Sequence, residues 1–267
     1  IVAGVALGTS GAAMQTLLNN PLASPYTLGL ASAAGFGASL AILHDGWGLN
    51  TIYIVPATAF LCACLASAVI YAIGNMRGMA SGTMVLAGIA LMFTFQSLQS
   101  LLQFRATPEV GQQIVFWMFG TLAKATWTNL VVSTLVVTLC IPILMRNAWQ
   151  LTALRLGEDR ALSLGVSVVR LRLITIAFVS LMTATVVSVI GTIGFIGLVA
   201  PHIARILVGE DQRFLIPTSA LAGALLLSVA SVLSKIIMPG VLLPVGIVTA
   251  LIGVPFFLHR ILRRKTQ

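Results

Sequence analysis

Residues 146–172 read RNAWQLTALRLGEDRALSLGVSVVRLR, a polar island in a chain that is otherwise compatible with lipid. The stretch carries Arg155, Glu158, Asp159, Arg160 and Arg170, yet leucine and glycine recur through it at Leu151, Leu154, Leu156, Gly157, Leu162, Leu164 and Gly165. A loop that meets only water needs no such leucines. The spacing predicts short amphipathic helices lying against one membrane face, with apolar side chains left for another body to grip.

Outward from the island, composition fixes the class. Of the 267 residues 58% are hydrophobic and 8% charged, and the mean hydropathy is +1.05, which is the range of an all-α polytopic membrane protein and not of a soluble domain. The formal net charge is +9, but the basic residues are spread between apolar runs and form no face for nucleic acid. Apolar runs that could cross a bilayer lie at roughly 28–43, 52–74, 83–104, 126–145, 172–196, 215–234 and 242–259. The run at 1–17 is another that reads as cut short, so residues are expected upstream of Ile1. Each must be helical, since hydrocarbon offers the backbone no partner.

Eight crossings would put the island and the basic tail, Arg260, Arg263, Arg264 and Lys265, on opposite faces, against the positive-inside rule. A ninth at 197–208, containing Pro201, His202 and Arg205, restores the parity. Twelve of the 15 basic residues then lie inside, with Arg105, Lys124 and Lys235 outside. At about 12 residues the ninth element is too short for a full span and is expected to be a tilted or broken helix buried among its neighbours. Single cysteines at Asn147 and Gln212 are accordingly expected to label from the cytoplasm, and at Gly46, Thr107 and Gly240 from outside.

Gly4, Gly8 and Gly11 share one side of the first helix, and Gly29, Ala33 and Gly37 repeat the pattern in the second. Small residues at this spacing let helix backbones approach closely. Two segments also resemble one another: Gly11, Asn20–Pro21–Leu22–Ala23 and Gly29 after the first helix, and 193–197, Ala200–Pro201–His202 and Gly209 after the run that starts at 172. In the topology above they run in opposite senses, as an inverted repeat would. Pro21 and Pro201 are each expected to end a helix, and Asn20 to cap one that starts at Pro21.

Reactive chemistry is sparse. No Gly-x-x-x-x-Gly-Lys-Ser/Thr phosphate loop is present, so the chain is read as neither an ATPase nor another enzyme. His44, His202 and His259 are far apart, and no Asp or Glu falls inside a run, so neither a metal centre nor the proton relay of an ion-coupled transporter is read. Cys62, Cys64 and Cys140 lie in apolar runs and read as small hydrophobes.

With these absences in hand, five segments in order carry a resemblance to the FecCD-type permeases, the transmembrane subunits of ABC importers for ferric siderophores, haem and cobalamin. The first two are Asn20–Pro21–Leu22–Ala23 with Pro25 and Leu28–Gly29, and Phe116–Trp117–Met118–Phe119–Gly120. The third is Leu156–Gly157–Glu158 followed by Ala161 and Leu164–Gly165–Val166. The last two run from Gly194 through Pro201–His202 to Arg205, and from Leu243–Pro244–Val245–Gly246 to Gly253–Val254–Pro255. The resemblance implies a ten-helix type II ABC importer permease fold in a bacterial cytoplasmic (inner) membrane. Residues 1–267 would be one permease domain lacking helix one and the start of helix two. It also implies a homodimer seated on two cytoplasmic ABC ATPases, which use ATP and magnesium while this chain holds no cofactor, with a periplasmic or lipid-anchored substrate-binding protein above.

Carried over residue by residue, the island at about 146–172 becomes the coupling helices, with Leu154, Leu156, Gly157, Glu158, Ala161, Leu164 and Gly165 in the ATPase cleft. Asn20, Pro21, Leu22, Ala23, Pro201 and His202 fall to the cytoplasmic gate and its turns. Cargo would pass Gln96, Ser97, Gln99 and Ser100, and then Phe116, Trp117, Phe119 and Gly120. The polar four fit either a water-filled channel or a helix–helix hydrogen-bond cluster, and the aromatic residues either an outer rim or ordinary interfacial anchoring. Lys235 stands where relatives carry a basic residue that docks the binding protein, while Ser231 and Leu242 replace an Asp and a Glu that relatives often carry. A ferric siderophore is the first expectation for cargo, with haem and cobalamin as alternatives. The rival classes are an ion-coupled secondary transporter, a membrane scaffold and an intramembrane enzyme.

Overall fold

Helices occupy the apolar runs in the computed structural model, which describes residues 1–238 and 241–263, and side chains as far as Phe256. In chain order the helices are α1 (Val2–Leu17), α2 (Leu30–Leu43), α3 (Thr51–Met76), α4 (Ser81–Arg105), α5 (Pro108–Met118), α6 (Trp127–Arg146), α7 (Ala148–Leu154), α8 (Glu158–Ser163), α9 (Val168–Ile190), α10 (Ile196–Val208), α11 (Gln212–Ile236) and α12 (Val245–Arg263). No strand occurs among the described residues. Helices α3, α4, α6, α9 and α11 are long and apolar enough to span a membrane. The 13 residues of α10 rise about 20 Å, short of a hydrocarbon core of about 30 Å.

Helix α1 lies inside the bundle against α6, α9, α10 and α11. It carries Thr9, Ser10, Gln15 and Thr16, all buried, which a lipid-facing helix would not tolerate. Gly4 and Gly8 rest on the stretch of α11 from Ser219 to Gly223, and Gly11 rests on Gly197 of α10. The glycine face read from the sequence thus does bring backbones together. In α2 the pattern divides: Gly37 packs on Thr58 of α3, whereas Gly29 precedes the helix with φ 73° and approaches Gly88 of α4.

Polar bonds sort the helix ends into two groups. On the side of the island, Arg172 of α9 bonds Ser81 of α4 and Glu158 of α8, Arg205 of α10 bonds Gln15 of α1, and Gln212 of α11 bonds Thr16 and Thr152. At the opposite end the Thr121 N–H donates to the Ile190 carbonyl, and Asp45, Thr51, Lys124 and Thr126 border one cavity. Gln212 therefore sits with the island, as nine crossings require and eight forbid. It is also buried, as is Gly46, so neither is a labelling site, contrary to the sequence-based expectation. Gly240 and the side chains of Arg260, Arg263, Arg264 and Lys265 lie outside the described residues.

The order of α1–α4 recurs as α9–α12: a helix, an irregular break, a short helix, then two longer ones. Since α1 ends on the island side and α9 on the other, the two halves run in opposite senses. The apolar run expected at 172–196 is interrupted, because Gly191 takes φ 75° and Phe195 φ 67° before α10 begins. Inside the bundle the broken backbone finds partners, as lipid demands. The Thr192 hydroxyl donates to the Met118 carbonyl. The Tyr26 hydroxyl donates to the Ile193 carbonyl at 2.8 Å and accepts from the Ile193 N–H at 3.3 Å. Tyr26 lies on a 3-10 turn, Pro25–Leu28, in the break between α1 and α2, so the two breaks meet.

Candidate functional site

The island folds as α7 and α8, separated by Gly157, whose φ of 110° only glycine adopts without strain. Glu158 and Asp159 open α8, where carboxylates favour a helix N-terminus. Leu151, Leu154 and Ala161 turn inward and are buried. Leu156, Leu162 and Leu164 turn outward, at 57%, 54% and 52% exposed. Of the seven residues expected in an ATPase cleft, Leu154 and Ala161 are therefore core, and Gly157 and Gly165 (φ 78°) shape the turns. Glu158 is engaged within the chain by Arg172 at 3.1 Å, an ion pair that sequence reading does not supply.

A second set of bonds ties α7 to the bundle. Glu210 accepts from Arg155 at 2.8 Å and from Arg205 at 2.9 Å, and Arg205 reaches on to Gln15 at 3.0 Å. The Gln212 amide donates to Thr152 at 2.9 Å while its side chain donates to Thr16 at 2.7 Å. Asp211 caps α11, and its contact with Arg213 holds the carboxyl down to about 2. Sequence reading counts these arginines only as positive charge. The available signal was Gln15, the one amide side chain of α1, near the end of that helix.

Of the residues expected at the gate, Asn20 to Ala23 lie just beyond Gln15. No helix starts at Pro21: Asn20 closes a turn in which its side chain accepts from the Leu22 N–H at 2.9 Å, and Asn19 takes φ 46°. The Asn20 N–H donates to the Gln15 carbonyl at 3.0 Å, so this turn hangs from the residue that Arg205 holds. Pro21 and Leu22 are exposed and Ala23 is buried. Pro201 does not end a helix but lies inside α10, where it withholds a donor from the Gly197 carbonyl. The rings of His202 and Phe256 meet in a T-shaped arrangement, with centroids 5.6 Å apart.

Helical phase separates the four polar residues of α4. Gln96, Ser97 and Ser100 are exposed, while Gln99 is 3% exposed and reaches the Met118 sulfur. For Gln99 the hydrogen-bond cluster is thus the arrangement found. Phe116 and Phe119 are exposed and meet edge to face at 6.4 Å, whereas Trp117 is buried and Gly120 packs on the Thr192 carbonyl with φ 69°. Phe116 and Trp117 also border the cavity of about 640 Å³ that holds Asp45, Gln113 and Lys124. Lys235 is exposed in the last turn of α11 at the end opposite the island.

Comparison with known proteins bears directly on this arrangement. An ABC transporter permease protein of Methanocaldococcus jannaschii is 40% identical over 98% of this chain and 78% of its own length. The hemin transport system permease protein HmuU of Yersinia pestis is 36% identical, covering 100% of this chain and 80% of its own. The Fe(3+)-citrate import system permease protein YfmE of Bacillus subtilis is 34% identical over 97% and 77%. A solved structure described as a metal-chelate type ABC transporter in an inward-facing conformation superposes with a TM-score of 0.88 at 32% identity, covering 96% of this chain and 81% of its own. The model of the FecCD transport family matches residues 1–264, and the chain belongs to that family.

Proposed function

We propose that the chain is the transmembrane permease subunit of an ATP-driven importer. It carries a metal chelate into the cytoplasm along the axis between two copies of itself, a ferric siderophore first, with haem and cobalamin as alternative cargoes. The observation that carries this reading is the island, where Leu156, Leu162 and Leu164 form an exposed apolar crown on a base tied by ion pairs to the bundle. An apolar crown on a fixed polar base is a docking surface for protein. Two ABC ATPases are its occupants in this reading, and ATP and magnesium are theirs.

The remaining residues take roles consistent with that assignment. Gln96, Ser97 and Ser100 with Phe116 and Phe119 offer a weakly polar wall to cargo, backed by Gln99, Trp117 and Gly120. The turn Asn20–Ala23, with Pro201 and His202 in α10, forms the cytoplasmic gate. Lys235 meets a periplasmic or lipid-anchored binding protein as a point charge. The names of the Bacillus and Yersinia relatives, one for ferric citrate and one for hemin, support a chelate as cargo. The test is reconstitution of the bacterial inner-membrane complex in proteoliposomes, followed by uptake of a ferric siderophore, haem and cobalamin in turn. Uptake that requires ATP supports the reading. Uptake that proceeds without ATP and collapses with an imposed ion gradient overturns it, as does ATP hydrolysis with no cargo movement.

A further inference from the structure

Arg172, at the start of the second turn of α9, is 3% exposed, and only one of its nitrogens is engaged. Nη2 donates to Ser81 Oγ at 3.0 Å and to Glu158 Oε2 at 3.1 Å, while Nε and Nη1 are buried without a partner. Buried polar groups are ordinarily satisfied, so two unused donors on a buried cation need an explanation. Glu158 is the one carboxylate paired with Arg172 among the described residues, and its side chain is half exposed. Ser81 opens α4 and Glu158 opens α8, so a single guanidinium joins three helices. Helix α8 has six residues and Ala161 as its one buried side chain, so little else fixes it.

We propose that Arg172 is a positioning residue that holds α8 against the bases of α4 and α9 while α8 is displaced. The inference rests on the permease reading above, since it takes the displacing body to be the ATPase. Arg presents its donors in a rigid fork. Glu158 can pass from Nη2 to Nη1 or Nε without leaving the guanidinium, so a push on α8 carries α9 and the start of α4 with it. Helix α4 bears Gln96, Ser97 and Ser100, which brings the displacement to the proposed path. Lysine at 172 would keep the charge but offer Glu158 and Ser81 a single point with no second position.

The test uses spin labels at Arg160→Cys on α8 and Gly82→Cys on α4. Arg160 is exposed and lies outside the leucine crown, and Gly82 lies in open space. Cys62, Cys64 and Cys140 are replaced by alanine, and the permease is held in nanodiscs. Without nucleotide, the parent gives one narrow α8–α4 distance, and Arg172→Lys and Glu158→Gln each broaden it by roughly twofold, with the double variant no broader than either single. With the ATPase bound and trapped by ATP and vanadate, the parent keeps that distance, whereas in Arg172→Lys the labels separate. Should Arg172→Lys fail to fold, Glu158→Gln and Ser81→Ala, both at less buried positions, provide the same reading. Distributions as narrow as the parent in the folded variants overturn the proposal. Failure of the parent complex to trap vanadate counts against the permease reading alone, and the nucleotide-free measurement still decides the role of Arg172.

Discussion

Replacing Gly11 with alanine tests whether backbone contact between α1 and α10 holds the centre of the bundle. A Cβ at Gly11 would come closer than 3.0 Å to three backbone atoms of Gly197, its oxygen, carbonyl carbon and Cα, where ordinary contact begins at 3.4 Å. No rotamer change can relieve this, because all three atoms belong to the main chain. Nor can α1 move aside, since α6, α9 and α11 also pack on it. Overpacking a core costs about 1–3 kcal/mol, and a clash between two backbones belongs at the upper end. Taking about 3 kcal/mol at roughly 2–4 °C each, the unfolding temperature should fall by about 6–12 °C. Gly111→Ala in α5 is the control: its Cβ meets nothing within 4 Å, and alanine there adds up to about 1 kcal/mol of helix propensity. Both variants and the parent are compared in the same nanodiscs by tryptophan fluorescence on heating. If Gly11→Ala unfolds within about 2 °C of the parent, the α1–α10 contact is not what holds the core.

Tyr26→Phe strips both bonds from Ile193 and should cost about 1–3 kcal/mol, with faster hydrogen exchange at the Ile193 amide; unchanged exchange would show that the break is held by something else. Glu210→Gln weakens two ion pairs that water already screens, so stability should change by no more than about 1 kcal/mol, while the ATP consumed per cargo imported should rise. An unchanged stoichiometry would remove Glu210 from the coupling route. For topology, Arg213→Cys should label only from the cytoplasm and Thr107→Cys only from outside, both residues being exposed where Gln212 and Gly46 are not. Reaction of Arg213→Cys from outside would invert the assignment of faces.

The placement of Gln212 on the side of the island was legible because charge parity is a property of whole loops and survives errors of a few residues at helix ends. The glycine face of α1 was legible for a similar reason, since a helical period leaves Gly4, Gly8 and Gly11 on one side whatever they pack against. The break ahead of the short helix was read, but its reach back to Gly191 was not, because Ile190, Ile193 and Ile196 keep hydropathy high through a stretch whose dihedral angles end the helix. The separation of Gln99 from Gln96, Ser97 and Ser100 depends on rotation about the helix axis, which four polar residues in five positions cannot reveal. The partner of Glu158 was beyond reach for a different reason. Arg172 reads as one more positive charge on the cytoplasmic side, and only folding shows that it is buried beneath α8 and turned toward Ser81.

The two polar grips on the island also set how a push on it would reach the bundle. Through Glu158, Arg172 and Ser81, α8 is joined to α9 of the second half and α4 of the first. Through Arg155, Glu210, Arg205 and Gln15, α7 is joined to α10 of the second half and α1 of the first. Each grip therefore ties one helix from either inverted half, and Gly157, in open space, is the joint between them. A force on the leucine crown cannot move one half alone without breaking a hydrogen bond of a buried or half-buried arginine at each grip, to Ser81 at one and to Gln15 at the other. The grips differ in one respect, which sets their order of yielding. Glu210 shares two arginines that water can reach, whereas Arg172 is enclosed and has no replacement for Glu158 among the described ion pairs. The exposed grip exchanges partners at little cost, and the buried one does not. Displacement of the island should then open first between α7 and α10, beside the turn that Gln15 carries, while α8 stays with α4 and α9.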